Sequence, residues 1–309
     1  DPTLLGGDTA TTSENGSFGA GAFTNTSLTL VCNTTYYARA YAANSAGTST
    51  GAVSPSFLTG ACVTPITISG RIFTDEGVTE LATAGKTLML RIGTTTPGFF
   101  ATSTVLANGF WQILNITNTG MAAGLPIHAW IDNDAGFKAF TFTKASSTSG
   151  NVSNLDLYKD RFIVKHEGFT GTSTTNADLA SYDGDDDPDI RYTSVAGGAL
   201  NVWATTTLYI APGSEFAPGG AVTLHGNAVP TNPDGDLRLA TGLRQDGIST
   251  SSILTMGSSG ITLAGNWFAS STSIFTHSGT ATFNSTSTAQ KLIVATSSPF
   301  SALTFNGAG

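Results

Sequence analysis

The densest chemistry in the chain lies in YDGDDDPDI, where Asp183, Asp185, Asp186, Asp187 and Asp189 crowd five carboxylates into seven positions. Calcium takes roughly six to eight oxygens, and aspartates at alternate positions of a tight loop can surround it. The spacing Asp183, Asp185, Asp187, Asp189 meets that requirement and makes calcium the candidate cofactor. The stretch lacks the Gly and the closing Glu of the common calcium-binding loop, and Pro188 interrupts it. The alternative is a solvated acidic turn that caps a neighbouring element. IDNDAG at 131–136 and NPDGD at 232–236 are shorter versions of the same pattern.

Other reactive residues are scattered. His128, His166, His225 and His277 lie far apart, each in or beside a strand-like run, and form no H-x-x-x-H pair. HGN at 225–227 and HSG at 277–279 read as corners between strands. There is no G-x-S-x-G elbow, no P-loop and no dinucleotide fingerprint. Cys32 and Cys62 are the two cysteines. Cys32 precedes the run YYARAYA and Cys62 follows the strand that returns beside it, so a disulfide is expected, with two buried thiols as the alternative. A disulfide implies an oxidising, extracytoplasmic setting. A covalent link from Lys86 to Glu76 or Glu80 is a remote option.

Composition narrows the scaffold that must hold these residues. Only 11% of residues are charged, against about 25% in ordinary soluble domains. Fifty Thr, 31 Ser and 36 Gly take their place, and all three disfavour helix. A helical bundle and a doubly wound α/β enzyme are therefore not expected. The net charge of -8 argues against nucleic acid as a partner. Hydrophobic residues at 40%, with 18 Phe, provide a core and argue against disorder. No apolar run is long enough for a transmembrane helix, so membrane insertion is not expected.

The periodicity is that of short strands. In TYYARAYAAN, Tyr37, Arg39 and Tyr41 alternate with Tyr36, Ala38 and Ala40; NSAGTSTG then turns and AVSPSFLT returns. Residues 16–59 resemble the C-terminal half of bacterial fibronectin type III-like modules, and the first strands of such a module are missing. The second segment strings together ITISGRIFTDEG, GKTLMLRIG, ATSTVLANGFWQILNI, AAGLPIHAWIDND and FKAFTFTKA. It resembles the prealbumin-like sandwiches of bacterial surface proteins, with Trp111 and Trp130 expected in its core. LDLYKDRFIVKHEG reads as a linking hairpin. From about residue 200, three- to five-residue strands alternate with Gly, Asn and Ser corners in units of roughly 20 to 25 residues. GNWFASSTSIFTHSGTATFNSTSTAQKLIV and FSALTFNGAG resemble repeats of large bacterial cell-surface proteins.

The expected fold is all-β: immunoglobulin/fibronectin-like sandwich segments followed by a right-handed parallel β-solenoid. The segments are 1–62 (partial fibronectin type III-like), 63–150 (prealbumin- or immunoglobulin-like sandwich), 151–199 (linking hairpin and acidic loop) and 200–309 (solenoid). Solenoids also host polysaccharide-cleaving enzymes, which need acids converging from neighbouring coils. Past residue 200 the acids are Glu215, Asp234, Asp236 and Asp246 alone, so no enzyme is expected. The expectation is a structural protein of a bacterial surface filament, fibre or layer, at the cell surface or outside the cell. Its expected partner is itself, in a head-to-tail homopolymer, because the first module and the last coil would each leave a β edge open. A glycan-binding adhesin module is the alternative.

Overall fold

The computed structural model describes residues 13, 15–19, 29–60, 62, 65–93, 98–117, 122–146, 150–165, 173–225, 236–239, 241–243, 249–269, 272–285, 292–293 and 299–307. His166, Asp234 and Asp246 lie outside them. The described chain is all-β apart from one four-residue helix. It divides into two compact units, Asp1–Thr64 and Pro65–Gly309.

The first unit holds β1 (Thr35–Tyr36), β2 (Arg39–Asn44), β3 (Gly47–Val53) and β4 (Phe57–Leu58). β2 and β3 form an antiparallel hairpin, while β1 pairs with β4. The turn Asn44–Gly47 forms because the Asn44 side chain accepts the Ala46 amide, the usual asparagine turn. The alternation read from TYYARAYAAN is interrupted, since β1 ends at Tyr36 and β2 begins at Arg39. None of the described residues in this unit is buried. Cys32 and Cys62 are joined by a disulfide, with Cα atoms 4.9 Å apart.

The second unit opens with β5 (Ile66–Phe73), β6 (Thr87–Ile92), β7 (Phe99–Thr104), β8 (Phe110–Ile116), β9 (Pro126–Asp132) and β10 (Phe140–Lys144). In β5, Ile66, Ile68 and Ile72 alternate into a core with Trp111, Leu88 and Leu90. Gly70 completes that face because Leu155 crosses it: a Cβ there would meet the Leu155 carbonyl oxygen at 2.2 Å.

Next come β11 (Leu157–Tyr158) and β12 (Arg161–Val164). These two do not form the expected hairpin. β11 joins β5 in parallel, and β12 joins β10 in parallel. The Lys159–Asp160 turn, with Asp160 at φ 57°, carries the chain from one sheet to the other.

A cap segment follows, made of α1 (Asn176–Leu179) and β13 (Tyr192–Ser194). Then the coils begin: β14 (Leu200–Val202), β15 (Thr207–Ile210) and β16 (Glu215–Phe216); β17 (Val222–Leu224) and β18 (Leu237–Leu239). An antiparallel hairpin of β19 (Thr241–Leu243) and β20 (Ser249–Ser251) interrupts the second coil before β21 (Ile253–Gly257) completes it. The stack continues with β22 (Ile261–Leu263), β23 (Trp267–Ala269), β24 (Ile274–His277), β25 (Thr280–Phe283), β26 (Leu292–Ile293) and β27 (Ala302–Phe305).

Three parallel stacks make the faces of the coils: β14-β17-β22-β25-β27, β12-β15-β18-β23-β26 and β16-β21-β24. The second stack does not stop at β12. It runs on through β10, β9, β6 and β7 as one nine-stranded sheet. A single register line, Trp130–Phe140–Phe162–Leu208–Leu237–Trp267, follows it. Trp130 therefore belongs to the core of the coils, whereas Trp111 fills the sandwich core as expected. β9 is covered on both faces, which explains its unbroken run PIHAWI; strands covered on both sides lose the polar alternation.

Candidate functional site

The polar groups with the most unusual surroundings converge where residues 173–194 meet β9, β10 and the loop joining them. Thr175 caps α1 in a reciprocal box with Asp178. Lys144 of β10 reaches Asp178 at 2.6 Å and donates to the Ser173 carbonyl. Asn176 is fully buried; its side-chain amide donates to the Gly198 carbonyl at 2.8 Å, while its main-chain carbonyl accepts from the Ser194 hydroxyl. Tyr192, also fully buried, lies flat on Phe162 with centroids 4.2 Å apart and donates to the Tyr182 carbonyl. These bonds seat the cap on the first coil.

His128 of β9 is fully buried between Phe142 and Tyr182. Burial, reinforced by the Arg91 charge, pushes its imidazole down to about 3, so it is neutral at pH 7. Its Nε2 lies 2.9 Å from the Ser181 hydroxyl, which donates to the Asp178 carbonyl at 2.6 Å. A serine nucleophile needs its histidine oriented by a third group on the other nitrogen. His128 Nδ1 has no such partner among the described residues. The pair anchors the cap to the sandwich, and Arg91, 4.6 Å from the Tyr182 ring centre, adds a second anchor.

The acidic stretch does not gather its four alternate aspartates. Asp183 is buried and turned inward, where it accepts the Asp185 and Ser194 amides; burial pushes its carboxyl up against those bonds. Asp185 faces solvent. The physical reason is the backbone: the Asp186 and Asp187 amides both bond back to the Asp183 carbonyl, so the segment curls. Alternate positions share a face only in an extended chain.

Asp187 and Asp189 do come together, and Asp132 at the end of β9 joins them, with carboxylate oxygens within 4.8 Å of one another. Asp189 is already engaged: Lys138 pairs with one oxygen, and the Asn133 amide donates to the other at 2.5 Å. Burial pushes the Asp189 carboxyl up, but the bonds from Lys138 and Asn133 outweigh it and hold it below the usual range. Asp132 shifts the opposite way, raised first by burial and then by Asp187 and Asp189. Calcium takes roughly six to eight oxygens, so these three carboxylates would supply part of such a shell, with a lysine ammonium beside them.

Sequence reasoning singled out Asp187, Asp189 and the IDNDAG turn that contains Asp132, without linking them. It placed His128 in a strand-like run but did not join it to Ser181, nor Lys138 to Asp189, because those partners lie more than 50 positions apart.

Compared with known proteins, the chain matches no family model, and no curated protein matches it in sequence.

Proposed function

We propose that this chain is a structural component of a bacterial cell-surface or extracellular assembly and that it associates with copies of itself. The observation that carries this reading is the nine-stranded sheet that passes unbroken from sandwich to coils, which suits an element that bears load. The coils stack by parallel ladders on their long faces, and a stack of this kind extends by the same pairing from one copy to the next, without closing on itself. The disulfide supports a location outside the cytoplasm. Electron microscopy of the purified full chain tests the proposal. Filaments or arrays of uniform width are expected; isolated single particles at every concentration would refute it.

A second reading, glycan binding, is favoured by one feature. Asn201, Thr223, Thr262, Thr282 and Thr304 stand in register on the outer face of one stack, between the ladders that run from Leu200 to Leu303 and from Val202 to Phe305 and are buried as far as β25. Such a line of hydrogen-bonding side chains, about 4.8 Å apart, matches an extended polysaccharide. Co-sedimentation with insoluble polysaccharides, and its loss in Thr262→Val/Thr282→Val, separates this reading from the first.

A further inference from the structure

We propose that the notch where the sandwich, the cap and the first coil meet binds one hydroxyl group of a neutral sugar, held between the Asp160 carboxylate and the Arg191 guanidinium. The site is separate from the threonine ladder and independent of self-association.

Four segments build it. Lys138 comes from the loop between β9 and β10, Asp160 and Arg161 from the turn into β12, Arg191 from the cap, and Thr206 from the corner before β15. The space between them is about 10 Å3, room for one water-sized group. Asp160, Arg161 and Arg191 are half-buried, so the notch reaches the surface, while Thr206 is only 4% exposed. The corner that sets Thr206 in place is strained: Thr205 stands at φ 67°, a conformation that a β-branched side chain rarely adopts. Strain of this kind persists where the surroundings impose it, and it gathers at binding sites.

Two charged groups that line the notch are short of partners. Arg191 Nε is buried and has no hydrogen-bond partner among the described residues. Its guanidinium lies over the Trp203 ring, 5.0 Å from the centre, which holds it in position. The Asp160 carboxylate feels Lys159, Arg161 and Arg191 through space but takes a hydrogen bond from none of them. The remaining cations are engaged, Lys138 with Asp189 and Arg161 with Glu76. Buried polar groups are normally hydrogen-bonded, and an exception points to an occupant.

The chemistry of the two groups selects that occupant. The Arg191 Nε–H can only donate, and an ionised Asp160 can only accept. The group between them must therefore accept from one and donate to the other. A hydroxyl does both; a halide cannot donate and an ammonium cannot accept. With Lys138 and Arg161 neutralised by their own carboxylates, one guanidinium and one carboxylate remain, so neither sign of charge is favoured in the ligand. Water meets the same demand, and the experiment below separates the two. What favours a sugar is the open side of the notch and the half-buried Trp203 beside it: an aromatic ring next to a few fixed polar groups is the usual lining of a small-ligand site.

The test is saturation-transfer NMR on the full chain, with glucose, galactose, mannose and N-acetylglucosamine as probes. Transfer from the protein to at least one of the four is expected. Arg191→Met keeps a long apolar stem on Trp203 and removes the donor. Asp160→Gly keeps the left-handed turn (φ 57°) and removes the acceptor. Each is expected to weaken binding about tenfold or more, while Thr262→Val/Thr282→Val leaves it unchanged. No transfer to any of the four sugars overturns the proposal on the wild-type chain alone and leaves water as the occupant. Transfer that survives undiminished in Arg191→Met or Asp160→Gly overturns it as well, as does transfer lost in the ladder double variant, because the sugar then sits elsewhere. Stronger transfer to glucuronate or glucosamine than to the neutral sugars overturns the assignment of a neutral ligand.

Discussion

The two units of this chain solve the same problem with different means. The N-terminal unit has no buried residue among those described, and its order rests on hairpin hydrogen bonds and the Cys32–Cys62 link. The unit from Pro65 onward contains two apolar cores, with Trp111, Trp130 and Trp267 all fully buried. Few apolar contacts mean low local stability, and small pieces of chain need a covalent staple where burial is lacking. In the coils, by contrast, every added turn extends ladders already begun, so burial accumulates with length.

The sharpest way to break this contrast is to delete one large side chain from each unit. Trp267→Ala removes a ring packed against Phe275 and Phe300 and is expected to cost about 3–5 kcal/mol. Tyr41→Ala, at a 44% exposed position, is expected to cost under about 0.5 kcal/mol. Chemical denaturation of both variants measures the difference.

Acid should act on the second unit alone. His128 has a folded-state pKa of about 3 against an ordinary 6.5. Above pH 6.5 both states are neutral and nothing changes. Below it the unfolded chain takes a proton that the folded one refuses, so stability falls as pH drops from 6.5 towards 3. The loss across that window is on the order of 4 kcal/mol. In His128→Phe the slope of stability against pH should flatten between those limits.

Reduction should act on the first unit alone. Opening a bridge between residues 30 positions apart is worth roughly 3–4 kcal/mol in the chain-entropy view. Hydrogen exchange with and without reductant is expected to show faster amides in β2 and β3 and unchanged amides in β15 and β23. The smallest effect is expected from chelation. Lys138 and Asn133 already satisfy Asp189, so a chelator should leave the melting temperature unchanged; a fall of several degrees would restore calcium to the loop around Asp187 and Asp189.

The contrast also marks what was legible from residues alone. The triplets LNV, VTL, ITL, ATF and LTF carry the coil ladders in plain view, because a strand's inward and outward faces are written in its own alternation. The pairing of β10 with β12 was hidden: strand periodicity names a face but not the neighbour along the sheet. LDLYKDRFIV looked like a hairpin because Lys159–Asp160 does turn, yet the turn leads into a different sheet. In the acidic stretch a local curl divides the alternate aspartates, turning Asp183 inward and leaving Asp185 in solvent while Asp187 and Asp189 stay together. Asp132 and Asp189 meet only because the cap folds back over the end of β9, 57 positions away.

Sedimentation velocity of the full chain, across a wide concentration range, tests the structural reading most directly. Wild-type protein is expected to form species heavier than the 31.6 kDa chain that grow with concentration. Phe305→Lys, which places a charge on the exposed strand β27, should abolish them. A single 31.6 kDa species at every concentration, the same with and without the substitution, would contradict the account.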